Sequence, residues 1–176
     1  MKITLVRHTS VDVLPGTCYG WTDVPLKQSF QEEATITLRQ LEESTFDAAY
    51  TSPLSRCTKL ADFCGFPNAI RDDRLKELHA GEWEMQLFDE ITDPRIQEWY
   101  KDYMHYQIPG GESFLMLYHR VASFLQEIKE MPYKNVIIFA HGGVLLASQM
   151  FAGTVAIDEK ALEKLTPHGG VINLEL

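Results

Sequence analysis

Arg7 and His8 stand directly behind a short apolar run, Ile3-Thr4-Leu5-Val6, and a second histidine, His141, stands directly behind another, Val136–Ala140. A histidine offers a ring nitrogen as nucleophile or proton carrier. An arginine offers a planar fork of donors that suits phosphate or carboxylate oxygens. Two further stretches add groups of the same kind. Thr51-Ser52-Pro53-Leu54-Ser55-Arg56 puts an arginine at the start of an expected helix, and Leu75-Lys76-Glu77 puts a carboxylate ahead of Gly81. Two arginines, two histidines and one acid are groups able to bind an anion and to carry protons or attack as nucleophiles. Each has an ordinary reading when taken alone: a hydrogen-bonded histidine at a strand end, a solvated helix arginine, a surface carboxylate.

Other chemistries lack their signatures. There is no GxxxxGK[ST] nucleotide loop, no GxSxG elbow and no HExxH. No cysteine is followed six residues later by arginine, and no DxD follows an apolar run. The six histidines include no i,i+4 pair with a supporting third ligand, so neither a metal nor another cofactor is expected. With 16 Lys and Arg against 25 Asp and Glu, the net charge is −9. A surface of that sign repels nucleic acid and anionic lipid, so an anionic ligand must be held by a local cationic site, which makes any arginine beside an anion-binding signature informative.

The elements that must position these groups can be read from periodicity. A chain of 176 residues, 45% apolar, suits one domain over residues 1–176. Lys2–Val6, Phe46–Thr51, Asn135–Ala140 and Val171–Leu176 read as strands. Helices are expected over about 28–44, from Ser52 as N-cap with Pro53 in the first turn to a stop at Gly65, over about 89–103, and over Val144–Phe151. The clearest runs from Glu112 to Glu130, where Phe114, Leu117, Val121, Phe124, Leu125 and Ile128 form one stripe. Alternating strands and helices predict a single three-layer α/β/α domain with a mostly parallel sheet. Ligands of such sheets collect beyond the C-terminal strand ends, where Arg7-His8 and His141-Gly142-Gly143 both fall. Val136 to Ile157 carries no Asp, Glu, Lys or Arg, and a strand, a turn and a buried helix account for it better than a membrane span. Three cysteines without a CxxC pair suit reduced thiols, and the N-terminal apolar run is too short for a signal peptide; a cytoplasmic protein is expected.

With these motifs in order along almost the whole chain, the sequence resembles the histidine phosphatase superfamily, also called phosphoglycerate mutase-like. Arg7-His8-Thr9 matches its RHG or RHT motif, Arg56 its second arginine, Glu77 its acid in L-x-E, and His141 its second histidine in HGG. The resemblance implies a phosphoglycerate mutase-like fold and a metal-independent phosphoryl transfer. His8 would form a phosphohistidine, Arg7 and Arg56 would grip the phosphoryl oxygens, and His141 would donate to them. Glu77, held protonated, would give its proton to the leaving oxygen. Gly16–Leu26, Gly81-Glu82-Trp83-Glu84 and Pro109–Ser113 resemble the α-ribazole phosphatases most closely. That likeness implies a cobalamin-assembly substrate, α-ribazole 5′-phosphate or the corresponding cobalamin phosphate, and adds Tyr19, Gly20, Glu82 and Gly142 to the substrate contacts. Alternatives are a phosphatase for another small metabolite, a mutase, or a non-catalytic phosphoprotein-binding module. Relatives of the mutase type are expected to be longer, with insertions around the site. The chain departs from the pattern at Val11–Leu14, where an asparagine is usual, and at Phe30 and Met85, which stand near or at usual glycines.

Overall fold

The computed structural model describes residues 1–41, 44–156 and 161–176. β1 (Lys2–Arg7) and β4 (Asn135–Ala140) lie side by side and parallel, Lys2 opposite Asn135 and Arg7 opposite Ala140. β4 is an apolar run from Val136 to Ala140, and β1 one broken only by Thr4, because both are covered on two faces: Ile3, Leu5, Val6 and Val136 to Ala140 are fully buried. β2 (Ala48–Thr51) pairs parallel with β4 on the other side, and the two-residue β3 (Ile70–Arg71) extends that edge. β5 (Val171–Glu175) pairs antiparallel with β1, giving the order β3-β2-β4-β1-β5.

One face of the sheet is covered by α4 (Phe114–Lys129) and α5 (Gly142–Phe151), the other by α1 (Phe30–Arg39) and α2 (Ser55–Phe63). The α4 stripe expected from spacing is the buried one, and Ser113 caps the helix by accepting from the Met116 amide at 3.3 Å. A third, smaller apolar cluster of Cys18, Ala80, Trp83, Ile91, Ile96 and Ile108 lies under the long segments between α2 and α4, where only the short α3 (Ile96–Lys101) is α-helical. The fold is the expected single α/β domain with a mostly parallel sheet.

Some boundaries differ. α1 starts at Phe30 and ends at Arg39, inside the expected 28–44; of that span Glu42 and Glu43 lie outside the described residues. The 89–103 stretch holds α3 and a preceding 3₁₀ turn because Pro94 interrupts it. Ser52 does not cap α2: its hydroxyl bonds the His141 ring at 2.8 Å, and α2 begins at Ser55 with Asp23 accepting from the Ser55 amide at 2.9 Å. Gly65 does follow the last turn, at φ +91°. The uncharged segment, as far as Ala156, is β4, a tight turn and α5, and no described helix is long and apolar enough to cross a membrane.

Candidate active site

The parallel register brings three chain exits together. Arg7 faces Ala140 and Thr51 faces Phe139, so Arg7-His8, Ser52 and His141 leave the sheet at one edge, and the His8 amide continues the ladder to the Ala140 carbonyl at 3.1 Å. The His8 and His141 ring centroids are 5.2 Å apart, inclined at 63°.

The His8 ring, almost fully buried, has Nδ1 2.7 Å from the Thr9 carbonyl. A carbonyl only accepts, so Nδ1 carries the proton and Nε2 keeps its lone pair. Burial first, then the nearby Arg56 charge, push the His8 pKa well below the ordinary value, which keeps that lone pair free at neutral pH. His141 is shifted the same way by burial, Arg56 and His8, and its Nε2 meets the Ser52 hydroxyl. The Cys57 thiol packs against it, donating to the Ala140 carbonyl.

The arginines keep donors in reserve. Arg56, fully buried at the start of α2, gives Nη1 to the Thr22 carbonyl at 3.1 Å and Nη2 to the Gly20 carbonyl at 2.6 Å. Arg7 gives Nη1 to the Thr166 carbonyl and Nη2 to His168 Nε2 at 3.2 Å. A guanidinium has five N–H groups, so each retains three, and neither Nε finds an acceptor in the protein. Buried donors left unpaired are costly, and an anion placed between these two side chains would satisfy them.

Glu77 is held at both oxygens: Oε1 accepts from the Leu78 amide at 2.9 Å and Oε2 from the Gly143 amide at 3.2 Å. Two glycines permit this packing. A Cβ on Gly143 would sit 2.3 Å from Glu77 Oε1, and one on Gly142 would sit 3.1 Å from the Arg7 guanidinium carbon. Behind Glu77, Arg120 donates to the carbonyls of Arg74, Lys76 and Glu77 and pairs with Glu112, a half-buried brace that fixes the backbone beneath the acid. Trp21 bonds the Glu77 carbonyl through its indole N–H at 2.7 Å.

Beyond Arg7, His8 and Glu77 opens a cavity of about 290 Å³. Its wall includes Tyr19, Leu78, Phe88, Trp99, Ile108, Phe114, Leu162 and Leu165. Arg7 and Glu77 are the only Asp, Glu, Lys or Arg among the described residues lining it. Tyr19 also lies against Arg56, 5.4 Å from ring centroid to guanidinium, and Gly20 passes so close to the Leu78 carbonyl that a Cβ would clash at 1.8 Å. Glu82, read as a substrate contact, is at the surface: its side chain is 61% exposed, pairs with Arg95 and does not line the cavity. The carboxylate that organises this wall is Glu84, which accepts from the amides of Gly20, Trp21, Thr22 and Ala80 and from the Thr22 hydroxyl. Burial works to raise its pKa, and those hydrogen bonds outweigh it and hold it lowered. Met85, at a usual glycine position, does take the left-handed backbone a glycine favours, φ +65°.

His168, to which the sequence assigns no role, stands 5.2 Å from the His8 ring. Its signal was there to be seen, since His168-Gly169-Gly170 repeats the tripeptide at 141–143.

A ring nitrogen with a free lone pair, two arginine forks with spare donors and a braced carboxylate at the C-terminal edge of a mostly parallel sheet are groups that can together hold and transfer a phosphoryl group. Residues 3–173 match the histidine phosphatase superfamily (branch 1), and the chain belongs to that superfamily. It is similar to phosphoserine phosphatase 1 of Hydrogenobacter thermophilus, 26% identical over 90% of this chain and 78% of the other. It is also similar to putative phosphoserine phosphatase 2 of the same organism, 30% identical over 83% and 75%. The solved phosphoglycerate mutase of Thermus thermophilus superposes with a TM-score of 0.78 at 28% identity, covering 100% of this chain and 99% of that one. These relatives support phosphatase activity. The nearly complete coverage of that mutase corrects the expectation drawn from length: a short chain does not by itself separate phosphatase from mutase.

Proposed function

We propose that the chain is a metal-independent phosphomonoesterase whose preferred substrate is α-ribazole 5′-phosphate. Arg7 and Arg56 receive the phosphoryl group, and His8 Nε2 attacks phosphorus. The P–N bond forms as the P–O bond breaks, Glu77 passes a proton to the departing ribose oxygen, and His141 donates to the phosphoryl oxygens as charge spreads. Water then attacks the phosphohistidine, Glu77 takes its proton, and phosphate leaves with His8 restored.

The observation that carries the substrate reading is the apolar cavity next to the phosphate end. A flat, uncharged base with its ribose can bury there against Tyr19, Phe88 and Trp99. O-Phosphoserine would bring an ammonium and a carboxylate to a wall with no charged side chain left to pair with them, and unpaired buried charge is costly. At about 290 Å³ the cavity holds a nucleoside, whereas the far larger corrinoid of a cobalamin phosphate would have to remain outside. The Gly16–Leu26 resemblance supports the same reading. The test is kcat/KM in excess chelator for α-ribazole 5′-phosphate, O-phosphoserine and 3-phosphoglycerate. A preference of roughly 100-fold for the nucleotide is expected, the scale on which pocket contacts discriminate. Equal or better turnover of phosphoserine would overturn the substrate while leaving the phosphatase, and loss of all activity to the chelator would overturn the metal-free chemistry.

A further inference from the structure

The segment Thr166–Gly170, just before β5, is fastened to the nucleophile's own strand end. The Gly169 amide donates to the His8 carbonyl at 3.0 Å, the Arg7 amide donates to the Gly170 carbonyl at 2.9 Å, and the Thr37 hydroxyl donates to the Gly169 carbonyl at 2.9 Å. Gly169 takes φ +68° to make this turn. The segment thereby presents the Thr166 carbonyl and His168 Nε2 to the two ends of the Arg7 fork. An arginine N–H only donates, so His168 Nε2 must accept and the ring proton must sit on Nδ1.

We propose that His168 is a positioning residue for phosphate binding, holding Arg7 as a neutral acceptor so that the guanidinium is aimed while its positive charge stays available to the anion. A carboxylate at this place would aim Arg7 equally well but would neutralise it and compete with phosphate. An imidazole aims without competing. Besides Arg7, the charged or titratable groups acting on His168 are Glu33, Lys27, Arg56 and His8. The Glu33 carboxylate is already taken by the Ser10 amide and the Ser29 hydroxyl. His168 is itself an exposed residue, and partial desolvation, then the Arg7 charge, lower its pKa, which keeps the ring an acceptor at neutral pH. The effect falls on the phosphoryl end, so it is the same for every leaving group.

The proposal rests on Arg7 being a phosphate ligand but not on which ester is cleaved. It is tested with inorganic phosphate as competitive inhibitor of p-nitrophenyl phosphate hydrolysis at pH 7. H168A should raise the inhibition constant for phosphate and the KM about tenfold or more, the loss expected for a charge-assisted hydrogen bond. H168Q, whose amide oxygen can reach the same donor, should recover to within about threefold of wild type. Nitrogen NMR of the free enzyme should find the His168 proton on Nδ1, the tautomer that imidazole in water disfavours. An unchanged inhibition constant in H168A, equal loss in H168Q, or a proton on Nε2 would overturn it. If phosphate does not inhibit the wild type at all, the reading of Arg7 fails, and the tautomer still decides whether His168 holds it.

Discussion

Gly143→Ala is the smallest change that should disable the acid without touching the nucleophile. Gly143 lies in the first turn of α5, and alanine is the better helix former by about 1 kcal/mol, so the backbone has no reason to resist. The new methyl, however, would stand 2.3 Å from Glu77 Oε1 and 2.9 Å from the Leu117 side chain. Leu117 is packed in the core and can give only by a few tenths of an ångström. Glu77 cannot easily turn aside, since Oε1 is tied to the Leu78 amide and Oε2 to the amide of residue 143 itself. An ordinary contact near 3.4 Å requires the carboxylate to retreat by about 1 Å, and a displacement of that size at a reacting group costs about 100-fold in rate. The loss should depend on the leaving group. Turnover of α-ribazole 5′-phosphate, whose ribose oxygen needs a proton, should fall about 100-fold. The burst of nitrophenolate from p-nitrophenyl phosphate, which departs unaided, should fall far less. A thermal melt accompanies the kinetics, and its midpoint should fall by no more than the few degrees that overpacking against Leu117 costs, leaving the enzyme folded at assay temperature. Equal loss on both substrates, or full activity on the ribose ester, would refute the assignment of Glu77 as proton donor.

Glu77→Gln should lower turnover of the ribose ester by roughly two to four orders of magnitude, while Glu82→Gln, at a surface site paired with Arg95, should be mild on every substrate; the reverse pattern would move the acid to position 82. His8→Ala should abolish turnover, and wild type quenched during reaction should carry an acid-labile, base-stable phosphate on His8; label on His141 instead would displace the nucleophile. His8, His141 and His168 all have folded pKa values lowered below the ordinary 6.5. The unfolded chain therefore takes up protons first, so stability is full above about pH 6.5 and declines as the pH falls below it, before the carboxylates titrate. The urea midpoint should drop between pH 7.5 and pH 5, less steeply in H168Q, and a flat midpoint would contradict the burial of His8 and His141.

The parts of the fold that the sequence discloses are those governed by one dominant force. β4 is an apolar run from Val136 to Ala140, and β1 one broken only by Thr4, because both faces are covered, and α4 is a clean stripe because one face is. The cluster of Arg7, His8, Arg56, Glu77 and His141 was legible because strand and helix ends concentrate ligand contacts, and the motif order tied them together. What stayed hidden depends on long-range pairing. Ser52 has every feature of an N-cap, yet its hydroxyl is taken by a histidine 89 positions away. Glu82 and Glu84 are equally acidic in the sequence; only the arrival of Gly20, Trp21 and Thr22 makes one an anchor while the other faces solvent. Why glycine is usual at position 85 is visible only in the left-handed backbone that Met85 has to adopt there. The direction of β5 is set by its pairing with β1, which periodicity does not encode.

The cysteines bear on how such an enzyme meets oxidants. Cys57 packs against the His141 ring, Cys18 lines the cavity, Cys64 is buried elsewhere, and desolvation pushes all three thiols up, Cys18 to about 12 and Cys64 to about 11. Peroxide attacks thiolate rather than thiol, so at neutral pH almost none of this sulfur is in the reactive form. A phosphatase that attacks through cysteine must keep its nucleophile ionised, and it is silenced by the same peroxide that finds no target here. On the proposed imidazole chemistry, and with both thiols beside the site, Cys18 and Cys57, kept protonated, dephosphorylation by this chain should continue through an oxidative burst that stops thiolate-dependent phosphatases.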